Sequence, residues 1–328
     1  MLRSPNPSLD SLLGSEIVGL FQRNDITEIY VNDDGFIWYL SHTEGKVKSK
    51  IHCSPEILLT IIQKIAGQAG KIINEEIPSL DTEIQGYGYR FNGIIPPIVK
   101  NPSLNIRKPA SQLFTLDDYV QNGTLTQKYC DFLKQAIKER KNILVVGGTN
   151  TGKTTFLKAI LDSIAKITPN HRIISLEDLP ELQCSAEDYS PMFTKQETNK
   201  IGIKYNMTLL LAECMRRSPD RIVLGEVRDG AAYTMLKAWN TGHEGGACTV
   251  HANDAERGLS RILALAEENS ESPTNENTLK KLIADAIDVV VSVGFTDLGN
   301  GRKGRKVNEI ITVEDYDSRN DKYLINHI

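Results

Sequence analysis

The sequence predicts an α/β chain in which a smaller α+β unit precedes a larger unit built on a parallel sheet. Three observations carry this. First, short apolar runs, "NILVVG" (142–147), "RIISLE" (172–177), "RIVLGE" (221–226) and "GACTVHA" (246–252), alternate with amphipathic helical stretches. Strands of this kind, separated by helices, form a parallel sheet covered on both faces. Second, "GGTNTGKTT" (147–155) lies between one such strand and a helical stretch. Third, the first hundred residues lack this alternation and show a hairpin signal and one helix instead. The length of 328 residues fits two domains. We place them at 1–109 and 110–328, dividing near Pro109, with a linker over about 105–124.

Within the first unit, "ITEIYVN" (26–32) and "GFIWYLS" (35–41) flank the turn residues Asp33, Asp34 and Gly35, which predicts a hairpin. In "SPEILLTIIQKIAGQAG", Ser54 suits a helix N-cap and Pro55 the first helical position. Leu58, Ile61, Ile62 and Ile65 recur at helical spacing, and Gly67 or Gly70 ends the run. The stretch 81–99, "DTEIQGYGYRFNGIIPPIV", alternates like one strand until Pro96-Pro97 stops it. Residues 105–126 read as a connector followed by short helical pieces.

In the second unit, Leu125, Tyr129, Phe132, Leu133, Ala136 and Ile137 share a helical face. Phe156, Leu157, Ile160, Leu161 and Ile164 are in phase on the helix after the glycine loop. The chain finishes with "KVNEIITVEDY" (306–316), a strand after the basic turn "GRKGRK" (301–306).

Gly147, Gly152, Lys153 and Thr154 meet the pattern G-x-x-x-x-G-K-[ST]. Glycines let the backbone wrap closely enough for its N–H groups to point at phosphate oxygens. The helix that starts near Lys153 adds the positive end of its dipole. The candidate cradle is Gly147, Gly148, Thr149, Asn150, Thr151, Gly152, Lys153, Thr154 and Thr155. Lys153 would reach the β- and γ-phosphates of ATP, and the Thr154 hydroxyl would ligate Mg²⁺. Phosphoryl transfer also needs acidic groups at strand ends near the loop. Glu226 closes "RIVLGE", and Glu177 with Asp178 closes "RIISLED". Either glutamate could orient the attacking water. His243, in the glycine-rich bend before "GACTVHA", and His251, at the far end of that strand, are candidate sensors that hydrogen-bond a γ-phosphate or a catalytic carboxylate.

The bulk properties narrow the partners. A net charge of −4 argues against a protein that coats nucleic acid, and no aromatic–basic stripe supports a helicase. Direct nucleic-acid binding is therefore not expected. The five cysteines, Cys53, Cys130, Cys184, Cys214 and Cys248, form no C-x-x-C pair and read as reduced thiols of a cytoplasmic protein. No run approaches 18 apolar residues, and the N-terminal "MLRSPNPSLDSLLG" has no continuous apolar stretch. Any contact with a membrane is expected to be peripheral.

Taken in order, "GGTNTGKTT", "IISLEDLPELQ", "RRSPDRIVLGEVRDGAA" and "TGHEGGACTVHAND" resemble the Walker A, Asp, Walker B and His boxes of the secretion-superfamily ATPases. Together with "YRFNGIIPPIV" and "LNIRKPASQLFTLDDYV", they are most similar to the TrbB-type, conjugative-transfer branch of the type IV secretion traffic ATPases. The likeness runs over roughly residues 25 to 315. It implies a RecA-like motor domain with a smaller N-terminal domain, assembled as a homohexameric ring. It implies catalytic roles for Glu177, Glu226, His243, His251, Arg216 and Arg228, and nucleotide contacts from Arg90 and Arg107 of the N-terminal domain. The partners implied are inner-membrane secretion-channel subunits and a coupling ATPase. The type II secretion ATPases carry paired C-x-x-C motifs that this chain lacks. A type IV pilus-like motor and a non-hydrolysing, ATP-dependent scaffold are the alternatives.

Overall fold

A computed structural model describes residues 6–41, 44–108, 114–195, 205–273, 275–297 and 303–328. The chain divides into two compact units, Met1–Gln112 and Leu113–Ile328. The expected boundary at Pro109 lies outside the described residues.

In the first unit, helix α1 (Pro7–Gln22) starts where the Asn6 side chain accepts a hydrogen bond from the Leu9 amide. It bends at Gly14, whose φ is 78°. Strands β1 (Ile26–Val31) and β2 (Phe36–Ser41) form the expected hairpin, and β3 (Gly45–His52) pairs with β2. Helix α2 (Pro55–Gln68) is capped by the Ser54 hydroxyl, which accepts from the Ile57 amide. Gly67 sits inside the helix; Gly70, with φ 66°, takes the left-handed position past its end.

The stretch read as one strand is two. Strands β4 (Ser79–Ile84) and β5 (Tyr89–Ile94) form a hairpin turned at Gly86 and Gly88, both at positive φ. The period-2 alternation runs on through the turn, so only the two glycines mark it. Residues 105–107, read as connector, belong to β6 (Ser103–Arg107), which pairs antiparallel with both β1 and β5. The sheet order is β3-β2-β1-β6-β5-β4. Leu9, Leu13 and Ile17 of α1 and Leu58, Ile61, Ile62 and Ile65 of α2 pack with the inward strand residues Ile29, Ile37, Phe91 and Ile106 into one core.

The second unit opens with α3 (Leu116–Gln121), whose Thr115 and Asp118 form a capping box, and α4 (Gln127–Lys138). Then follow β7 (Ile143–Gly147), α5 (Lys153–Ile167), β8 (Ile173–Glu177), β9 (Tyr189–Phe193), α6 (Met207–Met215), β10 (Arg221–Leu224), α7 (Ala231–Trp239), β11 (Ala247–His251), α8 (Ala255–Glu267), α9 (Glu276–Ala286), β12 (Val289–Asp297), β13 (Lys303–Asp317) and β14 (Lys322–His327). Their order in the sheet is β14-β13-β12-β7-β11-β10-β8-β9. From β12 to β9 every pair is parallel, and separate apolar cores fill the two faces. The sheet is nonetheless mixed, not wholly parallel. The hairpins β12–β13 and β13–β14 extend it with antiparallel pairs. They can do so because, among the described residues, no helix intervenes between these last three strands. The basic turn falls partly outside the described residues: Gly301 and Arg302 are not described, while 303–306 open β13.

No helix among the described residues is long and apolar enough to cross a membrane.

Candidate active site

Strand β7 delivers the chain to the glycine loop and α5 carries it away. Asn150 and Gly152 both take left-handed backbone, with φ of 62° and 95°. A Cβ on Gly147 would stand 2.3 Å from the Val293 carbonyl oxygen of β12, so two backbones meet where only glycine fits. Inside the loop, the Thr151 hydroxyl donates to the Gly148 carbonyl at 3.0 Å. Lys153 Nζ donates to the same carbonyl at 2.8 Å, so the lysine is folded back over the loop. Among the described residues no hydrogen bond engages the Thr154 hydroxyl, and Thr149 and Asn150 are exposed.

The parallel register sets the next contact. His251 of β11 is the ladder partner of Gly147 of β7. This brings His251 Nδ1 to 3.2 Å from Lys153 Nζ. An ammonium only donates, so Nδ1 accepts and the ring proton sits on Nε2. That nitrogen is 3.0 Å from Glu226 Oε1, within ion-pair reach although off the line of a hydrogen bond. Burial, followed by the Lys153 charge, lowers the imidazole pKa, with Glu226 opposing. Glu226 Oε2 is gripped by Arg228, through Nε at 2.7 Å and through Nη2 as well. Arg228 Nη1 reaches on to Asp178 Oδ2 at 3.5 Å. Lys153, His251, Glu226, Arg228 and Asp178 thus form one continuous polar row along the ends of adjacent strands.

Glu177 stands beside this row. It is 3% exposed. Its Oε2 accepts from the Glu181 and Leu182 amides at 2.9 and 2.7 Å, while Oε1 is buried without a hydrogen bond. Burial raises its pKa, opposed by those two amides. A Cβ on Gly225 would stand 3.2 Å from Glu177 Cγ, so the glycine before Glu226 lets the two acidic strand ends lie close together. Lys158 of α5, also 3% exposed, lies near enough to be stabilised by Glu181 and Glu177 while burial lowers its pKa.

Two expected site residues are not brought here within one chain. His243 precedes β11 at the end where Ala247 pairs with Ile143, the opposite end of the ladder from His251 and Gly147. Strand direction therefore separates the two histidines within one chain. Arg216 ends α6, ahead of the N-terminal end of β10, and pairs with Glu213 at 2.8 Å on an exposed surface. It too lies at the end of the sheet away from the loop. In the first unit, Arg90 of β5 and Arg107 of β6 are direct cross-strand partners on one sheet face.

Two residues outside the expected set shape the region. Arg221, fully buried, donates to the Gly245 and Ile137 carbonyls, both at 2.9 Å, and to His171 Nδ1 at 3.1 Å. Asn142 Oδ1 accepts from the Gly245 and Gly246 amides. These two fix the bend that leads into β11, and so its register beside β7. The available signal was a charged or amide residue opening each apolar run, "RIVLGE" and "NILVVG".

The model of the family described as type II/IV secretion system protein matches residues 57–315. A probable conjugal transfer protein TrbB of Sinorhizobium fredii is 37% identical over 319 residues, covering 97% of this chain and 91% of that protein. The conjugal transfer protein TrbB of Rhizobium radiobacter is also 37% identical, over 97% of this chain and 93% of its own length. Among solved structures, the pilus retraction motor PilT with bound ADP matches at TM-score 0.62 and 20% identity, covering 88% of this chain and 80% of its own. The Legionella pneumophila ATPase DotB matches at TM-score 0.61 and 17% identity, over 92% and 80%. The structures bear out the α/β fold with its smaller N-terminal unit, and the sequence relatives bear out the TrbB-type resemblance. The chain belongs to the type II/IV secretion system protein family.

Proposed function

We propose that the chain is a ring-forming ATPase that energises assembly of, or transport through, a type IV secretion system of the conjugative-transfer kind. The observation that carries this is the row Lys153–His251–Glu226–Arg228, which joins a phosphate loop to a strand-end carboxylate. The loop fits a nucleotide. Its left-handed residues expose backbone amides, and Lys153 donates to a loop carbonyl and a neutral imidazole, both of which it can exchange for phosphate oxygens. Among the described residues no cluster of three or more His, Cys, Asp or Glu could hold a metal. A Mg²⁺ at Thr154 would take its remaining ligands from phosphate and water. Bound ATP with Mg²⁺ would supply the γ-phosphoryl group for transfer to water.

The residues divide the remaining work. The loop amides and Lys153 hold the phosphates. Glu226 orients the attacking water and Arg228 keeps its carboxylate in place. Glu177, with one oxygen anchored by two amides, offers the other toward the same region. Arg90 and Arg107, side by side on the N-terminal sheet, supply nucleotide contacts. The ring is a homohexamer at the cytoplasmic face of the inner membrane. It touches that membrane peripherally and works with channel subunits and a coupling ATPase. The family match and the two TrbB relatives support this reading.

The test is steady-state ATPase activity against protein concentration, with sizing, for wild type, Lys153→Ala and Glu226→Gln. Activity that rises with a hexamer and falls by about 10²-fold or more in both variants is expected. A wild type that forms the ring but turns over no ATP, with or without phospholipid, promotes the scaffold instead.

A further inference from the structure

Beyond β7 the sheet has an overhang. Strand β12 pairs with β7 from Val289 and Ile143 as far as Ser292 and Val146. After an irregularity at Ser292/Val293 it continues to Asp297, paired with β13 alone. The overhanging hairpin passes the phosphate loop: Val293 abuts Gly147, and further out Arg305 is the partner of Phe295. The Arg305 side chain lies over Gly152. A Cβ built on that glycine would stand 3.1 Å from Arg305 Cδ, 3.4 Å from Nε and 4.0 Å from Cζ. Gly152 is the residue before α5, whose first amides are the anion-binding end of the helix. On the other side, Tyr119, packed edge-on against Phe156 at 5.3 Å, is near enough to feel the Arg305 charge.

Arg305 is exposed, and among the described residues no carboxylate or hydrogen-bond acceptor takes its guanidinium. A planar, permanently charged donor fork beside a phosphate cradle has one matching ligand chemistry, the oxygens of a polyphosphate. We propose that Arg305 is a nucleotide-binding residue acting in cis, which closes over the phosphate loop from the β12–β13 hairpin and donates to the phosphates that ATP and ADP share. This rests on the ATPase reading above. It deepens that reading by adding a phosphate contact from the C-terminal hairpin, which lies outside the four motif boxes. It also accounts for an arginine in a basic run that a solvated hairpin tip would leave without a role.

The experiment is calorimetric titration of the full chain with ADP and, separately, with inorganic pyrophosphate, for wild type, Arg305→Ala, Arg305→Lys and Lys306→Ala. Lys306 is the exposed neighbour whose side chain alternates to the other face of the strand. Arg305→Ala is expected to weaken both ligands about ten- to hundredfold. Arg305→Lys should fall between, since an ammonium keeps the charge and loses the fork. Lys306→Ala should match wild type, and all four melting temperatures should agree. The inference is overturned if Arg305→Ala binds ADP within about twofold of wild type, a difference of only some 0.4 kcal/mol. It is overturned equally if Lys306→Ala weakens ADP as much, which would make the effect one of general charge. Loss of ADP affinity with pyrophosphate unaffected would overturn the phosphate contact. A wild type that binds neither ligand would fail the ATPase reading itself, an outcome distinct from failure of Arg305 alone.

Discussion

Lys153 Nζ and His251 Nδ1 stand 3.2 Å apart because their strands run in parallel with Gly147 and His251 in register. The loop lysine therefore leans on a histidine until phosphate takes it. One consequence is measurable in the imidazole. The Lys153 charge is the second-largest cause, after burial, of the lowered His251 pKa. Removing it in Lys153→Ala should raise the His251 pKa, since Glu226 remains to favour the charged ring. The ring resonances followed by NMR against pH should titrate at higher pH in the variant. A titration that stays put or moves down would show that the lysine does not face the ring in solution.

The strand direction places the two histidines toward opposite ends of β11. His251 touches the loop lysine and His243 lies at the other end of the same ladder. In a monomeric preparation, His243→Ala should leave the ADP dissociation constant within about twofold of wild type. His251→Ala removes one partner of Lys153 and one neighbour of Glu226, so its ADP affinity and turnover should both change. Equal effects from the two variants, measured below the concentration at which rings form, would contradict the placement.

What could be read from the sequence, and what could not, follows from the range of the forces involved. The phosphate loop is legible because its glycines serve local backbone geometry: Gly152 at φ 95° needs no distant partner to explain it. The strands at 143–147, 173–177, 221–224 and 247–251 are legible because both their faces are buried along nearly all their length, which makes them predominantly apolar. Strand β14 at 322–327 is half-exposed and, among the described residues, pairs with β13 alone, so its sequence carries no such run. The row from Lys153 to Asp178 depends on which strand neighbours which, and "TGHEGGACTVHAND" cannot say that His251 meets the loop while His243 does not. Arg305 is the extreme case: it lies 153 positions after Gly152 in the chain and meets it only through the β12–β13 overhang.

The contact between Gly147 and β12 gives a stability prediction. A methyl group there would meet the Val293 carbonyl at 2.3 Å and the Thr151 hydroxyl at 2.6 Å. The first is backbone and cannot rotate away, so the strands or the loop must shift. Gly147→Ala should lower stability by about 1–3 kcal/mol, in the range of overpacked sites. It should also weaken ADP binding, since Thr151 is part of the loop. Gly148→Ala is the comparison: its Cβ would meet only the Thr151 methyl at 3.7 Å, an ordinary contact. Denaturant melts of the two variants should therefore differ clearly, and matching midpoints would refute the close approach.

The buried carboxyl of Glu177 gives a pH dependence of stability. Burial is the largest cause acting on it, and the group ends with a folded-state pKa above its ordinary value. A raised carboxyl pKa means the folded chain holds this proton more tightly than the unfolded chain does. The associated stability is fully present below the unfolded carboxyl value of about 4.3 and is lost as pH rises through the folded one. Each unit between the two values is worth about 1.4 kcal/mol. Glu177→Gln keeps the shape and an acceptor for the Glu181 and Leu182 amides, and it cannot ionise. The stability of wild type relative to this variant should therefore decline as pH rises from about 4, levelling once Glu177 is ionised. Other carboxylates titrate alike in both proteins and cancel in the difference. Paired thermal melts across that range measure it directly. A difference that rises with pH would mean that the two amide bonds outweigh burial and hold Glu177 below its ordinary value.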